Sequence, residues 1–281
     1  MQTIKLAGTK VPALGMGTWY LGEGNAAKSQ QEIQSLRYGL DHGLTVIDTA
    51  EMYGEGASET LVGQAIKPYD RHQLYLISKF YPWHATARQM RKALENSLQR
   101  LGTDYLDLYL YHWRGNTPLK ETLAGMQALK KAGLIKAYGV SNFDVADLKE
   151  AAALPGGDQI AANEVLYNLS ARGIDYDLRP YQRLHHQTLI GYSPFNSGAG
   201  QSIVVPQPLK AMAKAKGITE HQLLLAWTMR DHDVFPIPKA ANAKHMAANI
   251  AAMAVTFTAD ELETIDHAFP APTTKQPLGM I

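Results

Sequence analysis

The sequence predicts an α/β protein of the (β/α)8 TIM-barrel class. Three observations carry the prediction. Short apolar runs rich in β-formers alternate with capped, helix-period runs along the chain, which implies a parallel sheet with its crossovers outside. Eight such strand-like runs can be read, the number that closes a barrel. The chain has 281 residues, a length at which α/β barrels commonly form one domain rather than two. One barrel domain over residues 1–281 is therefore expected.

In chain order, residues 4–6 and 11–14 flank Ala7-Gly8-Thr9-Lys10 and read as a β-hairpin. The expected barrel strands are 14–19, 45–49, 74–79, 106–112, 135–141, 160–166, 188–193 and 234–238. Helical periodicity falls at 30–42, 58–66, 86–101, 118–132, 145–153 and 206–216, among others. Ser29, Thr86, Thr117, Asp144 and Thr219 stand where N-caps are needed. Gly43, Gly102 and Gly133 stand where helices must stop. Two segments break the alternation: an irregular connection at 196–208 with two glycines and two prolines, and a Pro/Thr-rich tail at 269–281. Long structured loops at the strand C-termini are where function concentrates.

Composition narrows the function classes. A formal net charge of +1 gives no electrostatic case for a nucleic acid or an acidic membrane surface. There are no cysteines, so disulfide and thiolate chemistry are absent, as suits a reducing compartment. No signal-peptide pattern opens the chain. No apolar run reaches the roughly 20 residues that span a bilayer. A cytoplasmic protein is the expectation, with a monomer as the default because no long heptad or sticky patch is readable.

Three strand-like runs or the loops after them end in four groups that are costly to bury alone. Val46-Ile47 leads into Asp48, with Tyr53 in the loop that follows; Ile77-Ser78 leads into Lys79, and Leu110-Tyr111 into His112. In a barrel these positions converge on one mouth. That set resembles the aldo-keto reductase family, and the resemblance implies carbonyl reduction, which needs a proton on oxygen as well as a hydride on carbon. A free tyrosine, with a pKa of about 10, is too weak an acid. Lys79 would stabilise the phenolate and lower that pKa. Asp48 would hold Lys79 by a charge-assisted hydrogen bond. His112 would orient and polarise the carbonyl. Each has a plain alternative: a surface Tyr or Lys, a helix-capping Asp, a satisfied strand-end His.

The run from Gly43 to Gly63, with Asp48, Thr49, Ala50, Tyr53, Glu59 and Gly63 in register, resembles the aldo-keto reductase family, and most of all its bacterial methylglyoxal-reducing members. The likeness extends from Gly15-Met16-Gly17-Thr18-Trp19 to Ile237-Pro238-Lys239. It implies that Asp48, Tyr53, Lys79 and His112 form the catalytic tetrad and that the N-terminal hairpin plugs the barrel bottom.

No side chain donates hydride, so a cofactor is required. Gly22-Glu23-Gly24-Asn25-Ala26-Ala27 matches a dinucleotide phosphate turn, but the chain closes a barrel rather than an open sheet, so a Rossmann site is rejected. The resemblance implies NADPH lying extended across the mouth instead. It assigns cofactor contacts to Thr18, Trp19 and Asp48, to Ser141 and Asn142 for the carboxamide, to Tyr192 for ring stacking, and to Ser193, Phe195, Asn196 and Gly198 for the pyrophosphate. Helix capping and core packing are the plain alternatives for Ser141-Asn142 and Tyr192. Lys239 is the candidate for the 2′-phosphate. Ala240 stands where the family commonly has a hydroxyl, and His245 where it often has arginine. Lys244 compensates in part, and Asn249 aligns with an adenine contact. A reduced NADPH preference over NADH is expected. Glu164 replaces the more usual glutamine, removing an amide donor. Ionised, it would stabilise the oxidised nicotinamide; the alternative is that one acceptor replaces another.

Trp19, Tyr20, Trp83, Trp113 and Tyr81 would rim an aromatic slot suited to aldehydes and small ketones, with closure of the core as their alternative role. His185-His186 has no spaced partner for a metal and reads as a solvated helix face. Two other readings compete: a metal-dependent barrel hydrolase using Asp48, His112 and Glu164, and a cofactor-binding regulatory subunit on the same fold.

Overall fold

The computed structural model describes residues 2–196 and 202–281. β1 (Thr3–Leu6) and β2 (Thr9–Pro12) form the expected antiparallel hairpin. Eight parallel strands follow in one sheet, in sequence order: β3 (Met16–Gly17), β4 (Val46–Asp48), β5 (Tyr75–Phe80), β6 (Leu106–Tyr111), β7 (Ile135–Ser141), β8 (Ile160–Leu166), β9 (Thr188–Tyr192) and β10 (Val234–Pro236). The ring closes where β3 meets the end of β10. Gly15 N–H donates to Pro236 O at 3.0 Å and Gly17 N–H to Pro238 O at 3.1 Å, and Gly17 bridges Lys239 in parallel. A Cβ on Gly17 would lie 2.4 Å from Ile237 O, so this seam requires glycine.

Crossover helices alternate with the strands: α1 (Ala26–Asp41), α2 (Ala57–Ile66), α3 (Ala87–Leu101), α4 (Leu119–Lys131), α5 (Val145–Ala152) and α6 (Leu178–Leu184). α7 (Gln207–Ala215) and α8 (Glu220–Met229) both lie between β9 and β10; α9 (Ala243–Ala252) and α10 (Ala259–Ala268) follow. Thr86, Asp144 and Thr219 cap as expected, the last two in reciprocal capping boxes. Ser29 and Thr117 do not. Asn25 accepts the Lys28 N–H and starts α1 a turn early, and Pro118 takes the cap position of α4, where it has no N–H to satisfy. Gly22 to Asn25 is a loop rather than a phosphate turn, and its Gly22 N–H donates to the buried Glu32 carboxylate of α1.

Two apolar cores result. The larger lies between the sheet and the helices. The smaller fills the barrel with Val46, Tyr75, Ile77, Leu108, Leu110, Ile190 and Phe235, and the hairpin adds Leu6 and Val11 to it. Ala7 N–H donates to Thr188 Oγ1 at the N-terminal end of β9, so the hairpin does plug the bottom. The open end is the C-terminal mouth. No helix among the described residues is long and apolar enough to cross a membrane.

Candidate active site

The four tetrad candidates meet at that mouth. Asp48 is the last residue of β4, Lys79 lies within β5, and His112 follows β6, its N–H donating to Phe80 O at 3.2 Å. Tyr53 opens a tight turn in which Gly54, Glu55 and Gly56 all take left-handed φ before α2 begins. Two glycines in three positions make that turn accessible, and it folds the phenol back over β5. The Lys79 ammonium donates to Asp48 Oδ1 at 2.6 Å, Thr49 O at 3.1 Å and Tyr53 OH at 3.1 Å. Lys79 is 0% exposed and Asp48 1%. His112 packs edge-on to Tyr53, with ring centroids 5.9 Å apart. Thr18, buried, donates to Asp48 O at 2.9 Å and accepts from Ser58 Oγ, which fixes the end of β4. Asp48 is therefore not a helix cap, and Tyr53 and Lys79 are not surface residues.

The electrostatics differ from the expected lowered phenol. Burial pushes the Tyr53 pKa up, and the Lys79 charge offsets this only in part. The physical reason is that Lys79 is itself balanced by Asp48, so the phenol sees a pair rather than a free cation. Burial opposes the Lys79 charge, but Asp48 and Glu164 outweigh it and hold the ammonium on. Burial and the Lys79 charge together push His112 well below the ordinary imidazole value, so it is neutral near pH 7. Burial, reinforced by the Asp48 charge, pushes Glu164 well above the ordinary carboxyl range. Glu164 lies 3.4 Å from the Lys79 ammonium, inside the cluster.

A cleft of ≈ 1010 Å3, part of it open to solvent, rises from the cluster. It is lined by many of the expected cofactor residues: Thr18, Trp19, Asp48, Ser141, Asn142, Glu164, Tyr192, Ser193, Phe195 and Lys239. Ser141 and Asn142 do not cap α5, since Asp144 does. Ser141 Oγ donates to Glu164 O, and left-handed Asn142 donates to His112 O while accepting from Tyr192 OH at 2.9 Å. This hydrogen-bonded row joins β7, β9 and the His112 loop. Asn196 lies next to the lining, its N–H donating to Ser193 O at 2.9 Å. Gly198 lies outside the described residues. Ala240, Lys244, His245 and Asn249 do not line the cleft. Lys244 and His245 are exposed in the first turn of α9, where Asn242 caps the His245 N–H. Ala240 and Asn249 are buried, and Ala240 O accepts from Ser35.

Trp19, Tyr20, His112 and Trp113 line the cleft on the substrate side. Trp83 does not. It is 58% exposed, stacked on Tyr81, and reaches the cleft only through edge contact with Trp113. Sequence reasoning did not single out Met52, Ile237, Met280 and Ile281, which add apolar lining. It also missed buried Glu51, which accepts from the Tyr81 N–H and pairs with His84 at 2.8 Å behind the aromatic rim. His185 caps α6 and left-handed His186 lies beyond it, so they form a helix end rather than a helix face. Where the hydrolase reading needs a cation between Asp48 and Glu164, the Lys79 ammonium already stands. No three metal-binding side chains gather elsewhere among the described residues.

The model of the aldo/keto reductase family matches residues 13–269. Methylglyoxal reductase YeaE of Escherichia coli (strain K12) is 44% identical over 274 residues, which cover 96% of this chain and 95% of that protein. The crystal structure of an aldo/keto reductase from Klebsiella pneumoniae in complex with NADP and acetate superposes with a TM-score of 0.96 at 46% identity, covering 99% of each chain. A second structure of an aldo-keto reductase from that organism, in complex with NADPH, gives the same TM-score and identity over 100% of this chain and 99% of that one. With the family model spanning the barrel and the relatives matching end to end, the chain belongs to the aldo/keto reductase family.

Proposed function

We propose that the protein reduces aldehydes and small ketones, methylglyoxal-like or aromatic, to alcohols with NADPH. The observation that carries this reading is the Tyr53 phenol, held 3.1 Å from a fully buried Lys79 and edge-on to a neutral His112 at the floor of an apolar cleft. The residues present fit the cofactor. The cleft is open to solvent and lined by short polar groups and Tyr192, and the exposed Lys239 stands at its rim beside the start of α9. Similar proteins crystallised with NADP and NADPH support the same reading.

Bound NADPH supplies the hydride. Tyr53, kept a neutral phenol by burial, donates its proton to the carbonyl oxygen. The Lys79 ammonium then donates its hydrogen bond to the phenolate and stabilises it. Asp48 fixes Lys79 so that its N–H bonds point at Tyr53 and Thr49 O. His112, neutral, positions the carbonyl without competing as an acid. Ser141 and Asn142 hold the carboxamide, Lys239 takes the 2′-phosphate, and Lys244 and His245 at the α9 start assist it. Trp19, Tyr20 and Trp113 exclude water from the carbonyl. Residues 1–281 act as one domain, and we read the protein as a cytoplasmic monomer.

The test is steady-state reduction of methylglyoxal and benzaldehyde with NADPH and NADH in parallel. Turnover with NADPH preferred over NADH is expected. Tight NADPH binding with no turnover of either aldehyde would instead make the chain a cofactor-binding subunit.

A further inference from the structure

The Lys79 ammonium has three N–H bonds, and all three are committed to Asp48 Oδ1, Thr49 O and Tyr53 OH. Glu164 Oε2 lies 3.4 Å from that nitrogen and receives none of them. It is buried without a partner, and so is Asp48 Oδ2, the other oxygen of the carboxylate that Lys79 holds. Two carboxyl groups thus flank one ammonium, each with a buried oxygen that no donor satisfies. Two charged carboxylates would leave the pocket with an excess anion and two desolvated lone-pair sites, a costly arrangement. One proton removes both defects.

We propose that Glu164 and Asp48 share a single proton between Oε2 and Oδ2, and that through it Glu164 acts as a positioning residue for Lys79 and Tyr53. The proton sits on Glu164 and is donated to Asp48, leaving Asp48 ionised against Lys79. The cluster of Asp48, Glu164, Lys79 and Tyr53 is then neutral overall. When Tyr53 gives its proton to the carbonyl, the cluster carries one negative charge. If the shared proton had left for solvent, it would carry two. The other titratable groups facing Glu164 are His112 after β6 and Tyr192 of β9; β7 contributes only neutral Ser141 and Asn142, and Lys239 stands further out at the rim. None of these supplies a second cation to the buried pair. The burial that raises the Glu164 carboxyl agrees with this assignment. The inference extends the proposed reductase reading, but its first test is independent of turnover.

That test is the infrared spectrum of the protein at pH 7 in H2O and D2O. A deuterium-sensitive carboxylic-acid C=O band is expected in the wild type and lost in E164Q. It is also lost in D48N, where Glu164 becomes the only counter-ion of Lys79 and ionises. A wild type without the band, or a band that survives in D48N, would overturn the sharing. The second measurement is the pH profile of kcat/KM for aldehyde reduction. The wild type should lose activity at alkaline pH as the shared proton leaves. In E164Q, whose amide is neutral at every pH, that limb should move up by at least about one pH unit. Superimposable wild-type and E164Q profiles would overturn the positioning role, whereas an absence of turnover in both, with the infrared band present, would overturn only the reductase reading.

Discussion

Replacing Lys79 by methionine keeps the volume of the side chain and deletes its charge. The ammonium is fully buried and holds Asp48 at 2.6 Å, so its loss strands a carboxylate that is 1% exposed. Removing one partner of a buried pair costs about 3–5 kcal/mol when the other must stay charged. In this variant Asp48 escapes that cost by taking up a proton. Its folded pKa, already pushed up by burial, then rises further because the Lys79 charge no longer opposes it. A folded pKa above the unfolded one stabilises fully at low pH and is lost as pH rises through it. The penalty should therefore be about 3–5 kcal/mol at pH 8 and shrink to about 1–2 kcal/mol at pH 5, where only hydrogen bonds are missing. Urea denaturation at both pH values measures it through the midpoint at constant slope. Combining Lys79→Met with Asp48→Asn should recover most of the pH 8 loss, since no charge is then stranded. An equal penalty at pH 5 and pH 8, or a double variant no more stable than Lys79→Met, would refute this account of the pair.

Tyr53→Phe should lower kcat for aldehyde reduction by at least about a hundredfold, with a loss of about 1 kcal/mol in stability, because only one buried hydrogen bond disappears; activity within tenfold of wild type would remove Tyr53 as the acid. Arg179 joins Asp175, Asp231 and Asp233 at the barrel bottom, and Arg179→Ala should cost about 2–4 kcal/mol in urea while leaving kcat unchanged. Burial works against the Asp233 charge, but Arg179 and Arg183 outweigh it and lower its pKa, so that contribution is present above the ordinary Asp range and fades as pH falls through the folded value; the Arg179→Ala penalty should shrink on acidification accordingly. Gly17→Ala puts a methyl 2.4 Å from Ile237 O and should cost about 1–3 kcal/mol, read as a fall in thermal midpoint.

The barrel was legible because buried parallel strands are continuous apolar runs, and β7 and β8 fall where those runs were read, at 135–141 and 160–166. The meeting of Asp48, Tyr53, Lys79 and His112 was legible because each sits at or next to a strand end or in the turn beyond it. Charge states were not. Whether the Tyr53 phenol is pulled down or pushed up depends on how completely Asp48 neutralises Lys79 and on full burial, neither of which is local in sequence. Trp83 was misplaced for a similar reason: it is in the right loop, but Pro82 starts a tight turn there and Trp83 ends stacked on Tyr81 outside the cleft. Met280 and Ile281 reach the cleft from more than 80 residues beyond β9, and no periodicity reports such a contact. Asn25 as a cap was masked by the glycines around it, which mimic a phosphate turn.

The seam between β3 and the end of β10 has a consequence for how the molecule is made. Gly15 and Gly17 donate across it to Pro236 and Pro238, and neither proline has an N–H to return. The ring thus closes through a sparse contact between residues separated by more than 200 positions. On the ribosome, β3 emerges well before residues 236–239. Until they appear, the nascent sheet has two open edges, one at β3 and one at the latest strand to pair. Open parallel edges recruit other chains. Two residues that cannot donate at the late edge, and a strand of only two residues at the early one, leave little for a neighbouring chain to pair with during that wait.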